Sequence, residues 1–460
     1  MAEDRAERDE EEAAMERLVA VRAAVQTSDA PRVAALLEPL HAADIADLLE
    51  QIDPDERDAL LALWHPADAG EALGEVLSEL SDSIREEVIE SLPQERVAEA
   101  MRELETDDVV DILEDLDEPA QEKILEALDD SDRVAVEQAL SYPEYSAGRL
   151  MQRETVVGPE HWTVGEAIDH MRSADWLPDQ FYHVILTDPR MKPVGYVTLG
   201  RILSSGRDVR LKDIAEDSFR TVSATDPEAD VAYIFNQYHL ISCPVVDENG
   251  RLVGVITIDD AMNVLDEEHQ EDMLRLAGVG DESTVADGPI ETVKQRLPWL
   301  VANLFTASFS ALVISQFQST IAGLVALAAL MPIVASTGGI AGTQSLAVAV
   351  RALATRDLTR ANAGRVVRRE LTAGMLNGLG LALILGLAGV LIFGDWHLGM
   401  VLALAMIVNQ IVAALGGVLV PLTLERLGLD PALASGTFVT TLTDVMGYFA
   451  FLGLATLVLL

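Results

Sequence analysis

The stretch ALASGTFVTTLTDVMGYFAFLGLATLVLL, residues 432–460, decides how the chain is read. It is longer than the roughly 20 apolar residues needed to cross the hydrocarbon core of a bilayer, yet it carries one carboxylate, Asp444. An ionised carboxylate at mid-bilayer depth costs roughly 2.5–3.5 kcal/mol on insertion scales, so such a group is expected to face water or a cation. Four further apolar stretches precede this one, at about Leu297–Phe317, Ile321–Val350, Leu371–Phe393 and Leu398–Leu424. No Lys or Arg lies inside any of the five to pair with Asp444. Asn303, Asn377 and Asn409 in these stretches are read as hydrogen-bonding links between helices.

Between the second and third stretches, residues 351–369 hold six arginines against one acid, Asp357. Positive charge marks the cytoplasmic side of a membrane protein. Alternation from that loop puts the N-terminus in the cytoplasm and the end of the fifth span outside, with Gln318–Thr320 and Gly394–His397 as external turns. Five spans cannot form two equal inverted repeats, which disfavours a transporter built that way.

The second stretch contains MPIVASTGGIAGTQ, residues 331–344. Pro332 with Gly338, Gly339 and Gly342 is predicted to break the helix and, with Gln344, to line a path with exposed backbone carbonyls. Irregular backbone at that depth is tolerated only inside protein or along a watery cavity. Carbonyls beside a carboxylate make a hard-oxygen environment suited to Mg²⁺ or Ca²⁺ rather than to soft metals. Mg²⁺ gives up water reluctantly, so Asp444 is expected to grip a hydrated ion, and a two-fold axis would bring two Asp444 side chains around it.

The rest of the chain is of opposite character. The 460 residues include 76 acidic and 32 basic ones, a net of −44. Only seven acidic and nine basic residues follow residue 290, so residues 1–290 hold 69 acids against 23 bases, a net of −46. Such a charge repels nucleic acid and anionic lipid and attracts cations. Cys243 is the only cysteine, which excludes an intrachain disulfide and a cysteine zinc site. Residues 1–12 are charged and lack an apolar core, so a signal peptide is not expected and the acidic part is assigned to the cytoplasm. No nucleophile–base pair or phosphate loop stands out, so an enzyme is not expected.

Residues 1–140 show apolar residues at helical spacing, punctuated by Asp-Pro, Leu-Pro and Glu-Pro. A weak repeat is visible in IADLLEQIDP (45–54), IREEVIESLP (84–93) and VVDILEDLDEP (109–119). Stacked helix pairs of this kind give a small superhelix with one continuous core. From about Tyr142, short β-branched runs alternate with helical ones. Residues 146–205 and 211–265 read as two copies of a β-α-β-β-α unit and resemble a tandem CBS pair, through KPVGYVTLGRIL (192–203) and PVV…GRLVGVITIDD (244–260). That resemblance implies an adenosine nucleotide such as ATP as a ligand; the ribose-holding Asp is present as Asp259 but is Gly200 in the first copy. Asp260–Leu276 is predicted as a connecting helix, with Met262, Leu265, His269, Met273 and Leu276 on one stripe. The default reading of its acidic faces is solvation.

The order of these parts resembles the MgtE family of magnesium channels over essentially the whole chain. The stretches that carry it are YSAGRLM (145–151), RALATRDL (351–358) and DPALAS (430–435) with TLTD (441–444). The resemblance implies a multidomain membrane protein: a superhelical α-helical N-domain (1–140), an α/β tandem CBS pair (141–208 and 209–265), a connecting or plug helix with its linker (259–296), and an all-α domain of five transmembrane helices (297–460). It implies a homodimer in the inner membrane with a pore on the dimer axis, Mg²⁺ as both cargo and regulatory ligand, and uptake gated from within. Asp444 falls on the pore-ion aspartate and Asp430 on an acid at the cytoplasmic mouth. Asp260, Glu268, Glu271 and Asp272 fall on regulatory metal positions, and Asn263 stands where the family can carry another Asp. There are departures. The family's second span reads Gly-Gly-Asn-x-Gly-Asn-Gln; here Gly339-Ile340-Ala-Gly-Thr343-Gln344 lacks both asparagines, which bears on selectivity. His239 replaces an acid of the second CBS unit, so one sensor site is expected to be lost or pH-sensitive. Two rival readings are a transporter exchanging a divalent cation for H⁺ or Na⁺, with Asp444 as the proton site, and a membrane-anchored nucleotide sensor.

Overall fold

A computed structural model describes residues 3–66, 68–114, 116–174, 176–178, 181–280, 283, 288–433 and 435–459. The chain divides into two compact units, residues 1–266 and 267–460. Most of the predicted linker, residues 281–287, lies outside the described residues.

In the first unit, ten helices among the described residues run from Glu3–Gln26 to Asp130–Leu140. The repeat seen in the sequence is structural. Each proline sits where one helix has ended and the next begins: Ala42–Glu50 then Pro54–Leu63, Asp82–Ser91 then Gln94–Glu103, Thr106–Glu114 then Glu118–Ala127. Proline suits the first helical turn because its missing N–H has no partner there anyway. One continuous apolar core, from Val21 to Ala139, lies between the layers. Arginines close the helix ends, whose last carbonyls lack intrahelical partners. Buried Arg57 donates to the Leu49 carbonyl at 3.1 Å and to Glu87 at 2.8 Å. Buried Arg85 donates to the Leu80 carbonyl at 2.9 Å and to Asp111 at 2.7 Å. Arg96 donates to the Leu61 carbonyl at 2.8 Å.

The same unit then forms two three-stranded sheets, β1 (Val157–Pro159), β2 (His183–Thr187), β3 (Pro193–Thr198) and β4 (Val222–Ser223), β5 (Ser242–Val246), β6 (Leu252–Thr257). In each the first pair is parallel and the second antiparallel. Both antiparallel pairs shift register at the same place, Leu186/Thr187 and Val245/Val246, so the two copies match even in their irregularity. Segment 146–152 precedes β1 in sequence but packs into the second copy. Ala147 and Met151 lie in the core around Val222, Val231 and Ile256, and Gln152 exchanges two 2.9 Å backbone bonds with Val255. Gly254 permits this crossing, since a Cβ there would stand 2.6 Å from the Gln152 carbonyl oxygen.

The connecting helix is Ile258–Ala277. Its buried positions are Ala261 and Val264, whereas Met262 and Met273 are 57 % and 68 % exposed. Of the predicted stripe, Leu276 packs against Leu346, Val350, Ala432 and Val439, while Met262 and Met273 face outward.

The second unit contains five helices of membrane length among the described residues: Thr292–Gln316, Ala326–Ala354, Ala363–Phe393, Trp396–Arg426 and Gly436–Leu459. They agree with the five predicted spans, except that Ile321 belongs to a short separate helix, Gln318–Gly323. The predicted break in the second span does not occur: Ala326–Ala354 is one helix with Pro332 inside it. Proline is tolerated in such helices because neighbouring groups re-satisfy the backbone. The glycines serve close approach instead. A Cβ on Gly338 would lie 2.1 Å from Asn409 Nδ2, and one on Gly342 would lie 2.6 Å from Val439 Cγ1. Small residues let helices pack without a hydrophobic driving force in lipid, and the third span does the same with Gly374, Gly378, Ala382, Gly386 and Gly389, all buried against the fourth.

Candidate ion path and gating carboxylates

In the membrane unit, Asp444 stands half-buried in the fifth span. Its neighbouring threonines spend their hydroxyls on their own helix. Thr440 donates to the Gly436 carbonyl, Thr441 to Thr437 and Thr443 to Thr440, each at 2.8 Å. Among the described residues no hydrogen bond or ion pair reaches the Asp444 carboxylate. Tyr448, four residues on, occupies the same helix face. The fifth span is keyed to the second and fourth by Asn409. This wholly buried side chain donates to the Val334 carbonyl at 2.7 Å and fills a slot between Gly338 and Gly447. That is the interhelical link expected of it.

With the second span helical, its carbonyls are not released, which corrects the expectation that Gly338, Gly339 and Gly342 line a path with bare backbone. Gln344, with Thr337 and Ile340, borders a cavity of about 420 Å³ between the second span and Asn377 and Gln410 of the third and fourth; Asp444 is not among the residues that line it.

The second cluster of the same unit joins the end of the connecting helix to the loop after the fourth span. Asp430 Oδ1 accepts from the Ala432 amide at 2.7 Å, and Oδ2 accepts from Arg275 Nη1 at 2.8 Å. Arg275 also pairs with Glu271 at 2.9 Å. Burial, then Glu271 and Asp272, push the Glu268 carboxyl above its ordinary pKa. Burial and then Asp430 do the same to Asp272, against the pull of Arg275. Four of the predicted gating acids, Glu268, Glu271, Asp272 and Asp430, are thus gathered around one cation that the sequence reading overlooked, Arg275.

The remaining one, Asp260, belongs to the first unit. Thr257 Oγ1 donates to it at 2.5 Å and the Thr257 amide at 3.3 Å, which caps the start of the connecting helix. Asp107 and Asp108, in the first turn of Thr106–Glu114, face it. Burial and the Asp260 charge raise Asp107 well above the usual carboxylate range. Asp108 is raised to about 7 by burial, Asp260 and Glu105. Asp260 is itself raised to about 7, chiefly by burial. Glu105, Asp107 and Asp108 were missed in the sequence because an acidic residue in an acidic domain carries no distinguishing mark. Exposed Asp259, beside Asp260 in the first turn of the connecting helix, adds to the repulsion on Asp108 and Asp260. Beside the same helix, Glu154 accepts from the Thr106 hydroxyl at 2.7 Å and Gln152 from the 149–154 segment bonds Glu105. Among the described residues no three His, Cys, Asp or Glu side chains form a ready-made metal cage.

In the CBS-like pair, His183 Nδ1 and Ser242 Oγ, at the equivalent first residues of β2 and β5, meet at 2.6 Å and join the two copies. His239 caps the helix Glu228–Tyr238 in a left-handed conformation, φ 54°.

Three family descriptions match the chain: a divalent cation transporter domain, MgtE, over residues 331–454; the MgtE intracellular N domain over 28–145; and CBS domains over 147–208 and 211–267. The magnesium transporter MgtE of Thermus thermophilus is 33 % identical over 448 residues, covering 96 % of this chain and 98 % of that protein. The magnesium transporter MgtE of Enterococcus faecalis is 33 % identical over 326 residues, 70 % of this chain and 71 % of that protein. Among solved structures, the cytosolic domain of the Mg²⁺ channel MgtE in complex with ATP matches with 30 % identity and a TM-score of 0.50, covering 54 % of this chain and 99 % of that one.

Proposed function

The chain belongs to the MgtE family of magnesium transporters, and from that premise we propose that it is a homodimeric Mg²⁺ channel for uptake across the cell membrane, closed by intracellular Mg²⁺. The single observation that carries the reading is the Asp444 carboxylate, half-buried in the fifth span and approached by no basic side chain among the described residues. Such a group is stable at membrane depth only beside water or a cation. The printed names of the relatives, magnesium transporters, support Mg²⁺ as the cargo. The first span, with Leu300, Leu304 and Phe305 exposed, leaves apolar surface for lipid or a second copy. The arginine-rich loop supports a cytoplasmic N-terminus and an external C-terminus.

Gating is assigned to the crowded carboxylates. A divalent ion supplies the positive charge that Asp107, Asp108 and Asp260 lack, and Glu268, Glu271 and Asp272 offer a second set of oxygens around Asp430. Mg²⁺ keeps several of its waters, so acids that form no tight cage still fit it. An ion shifts a gate only by binding one state better than the other; here the preferred state is the one that holds the acids together. ATP, bound by the cytosolic domain of the related channel, is proposed as a further ligand of the CBS pair, with Asp259 at the ribose. The domain limits 1–140, 141–208, 209–265, 259–296 and 297–460 are part of the same proposal. The test is Mg²⁺ flux into liposomes at low and high internal Mg²⁺. Removal of residues 1–270 is expected to leave flux that no longer falls as internal Mg²⁺ rises; retained inhibition would reject the gating scheme.

A further inference from the structure

We propose that the cleft at the arginine-rich ends of the second and third spans seats the headgroup of an anionic phospholipid. The cleft encloses about 300 Å³. Arg351, Asp357, Arg369 and Glu370 stand around it, and Val366 and Val418 form an apolar wall. Its acids are engaged by the protein. Glu370 accepts from Ser345 Oγ at 3.2 Å and from Arg369 at 3.0 Å, while Asp357 takes the Thr355 hydroxyl at 3.1 Å. Arg351 is exposed and makes no ion pair among the described residues. Around it, residues 351–369 supply six arginines against one acid.

The position of the cleft chooses the ligand. It lies at the arginine-bearing ends of two helices of membrane length, Ala326–Ala354 and Ala363–Phe393, and positive charge flanking a span is expected at the depth of lipid phosphates. A charged rim that runs into an apolar wall fits one molecule with a phosphate and an acyl chain. A free phosphate would use only the rim. Guanidinium groups bind phosphate oxygens in a fixed fork geometry, and basic pockets between spans on this side of a membrane hold anionic headgroups.

The experiment is native mass spectrometry of the purified full-length chain in detergent, with phosphatidylglycerol, phosphatidylcholine and inorganic phosphate offered separately. Each arginine near anionic lipid is worth about fivefold in affinity. Phosphatidylglycerol is therefore expected to be retained over phosphatidylcholine, with the preference falling about fivefold in Arg351→Gln and about 25-fold in Arg351→Gln/Arg369→Gln. Arg360→Gln, outside the cleft, is expected to lower the preference less than Arg351→Gln does. Arg351→Gln breaks no ion pair, so it reports even where the double variant fails to fold. Equal retention of the two lipids, a preference unchanged in Arg351→Gln, or inorganic phosphate binding as tightly as phosphatidylglycerol would each overturn the proposal.

Discussion

A carboxylate among carboxylates is the recurring problem of this chain at the scale of single residues. Asp108 and Asp260, both raised to about 7, hold protons in the folded state that an unfolded chain would release at ordinary carboxylate values. A folded pKa above the unfolded one gives stability that is full at acid pH and is lost as pH rises through the folded value. Melting of the cytosolic unit without divalent ions is therefore expected to fall between about pH 4 and about pH 7, from the unfolded carboxylate value to the folded one. Mg²⁺ restores it at the upper end and adds little at the lower end, because protons already neutralise the site. Asp108→Asn/Asp260→Asn should flatten both dependences; a pH profile unchanged in that variant would separate these acids from sensing. Residues of this kind were the least legible in the sequence. Asp444 stood out because its surroundings are apolar, whereas Asp107, Asp108 and the buried Arg57 and Arg85 lie in a domain rich in charges, where burial depends on tertiary contacts. Arg275 was hidden for the same reason, although its i,i+4 spacing from Glu271 marks a helix pair.

Among elements, spans and repeats were readable and the role of the glycines was not. Length and hydropathy suffice to place five helices. Pro332 followed by Gly338, Gly339 and Gly342 carries the same letters as a broken helix, and only the neighbours distinguish a break from a groove. Asn409 and Val439 occupy that groove. The two adjacent glycines separate the possibilities. A Cβ at Gly338 meets Asn409 at 2.1 Å, while one at Gly339 finds its nearest atom, Thr440 Cγ2, at 3.9 Å. Gly338→Ala is expected to cost about 1–3 kcal/mol, the usual range for overpacking, and to lower the detergent melting temperature. Gly339→Ala should leave it nearly unchanged, and Asn409→Ala should recover part of the loss in the Gly338→Ala background. Equal melting of the two single variants would show that the glycines do not set this packing.

For the whole molecule, the partition of charge is the property most plainly written in the composition: −46 before residue 291 and close to neutral after it. That partition separates a soluble, cation-attracting part from a membrane part and explains why the domain order could be read before any contact was known. It does not reveal which acids meet, because that depends on how helices and sheets return to one another over long sequence distances. The account rests on one carboxylate in the membrane lining a wet path for a hard divalent ion. Its most direct test is Mg²⁺ flux into liposomes through the full-length chain and through Asp444→Ala, with assembly of both followed by size-exclusion chromatography. The expected result is loss of flux in the variant with the same assembly as the parent; parental flux through Asp444→Ala would contradict the account.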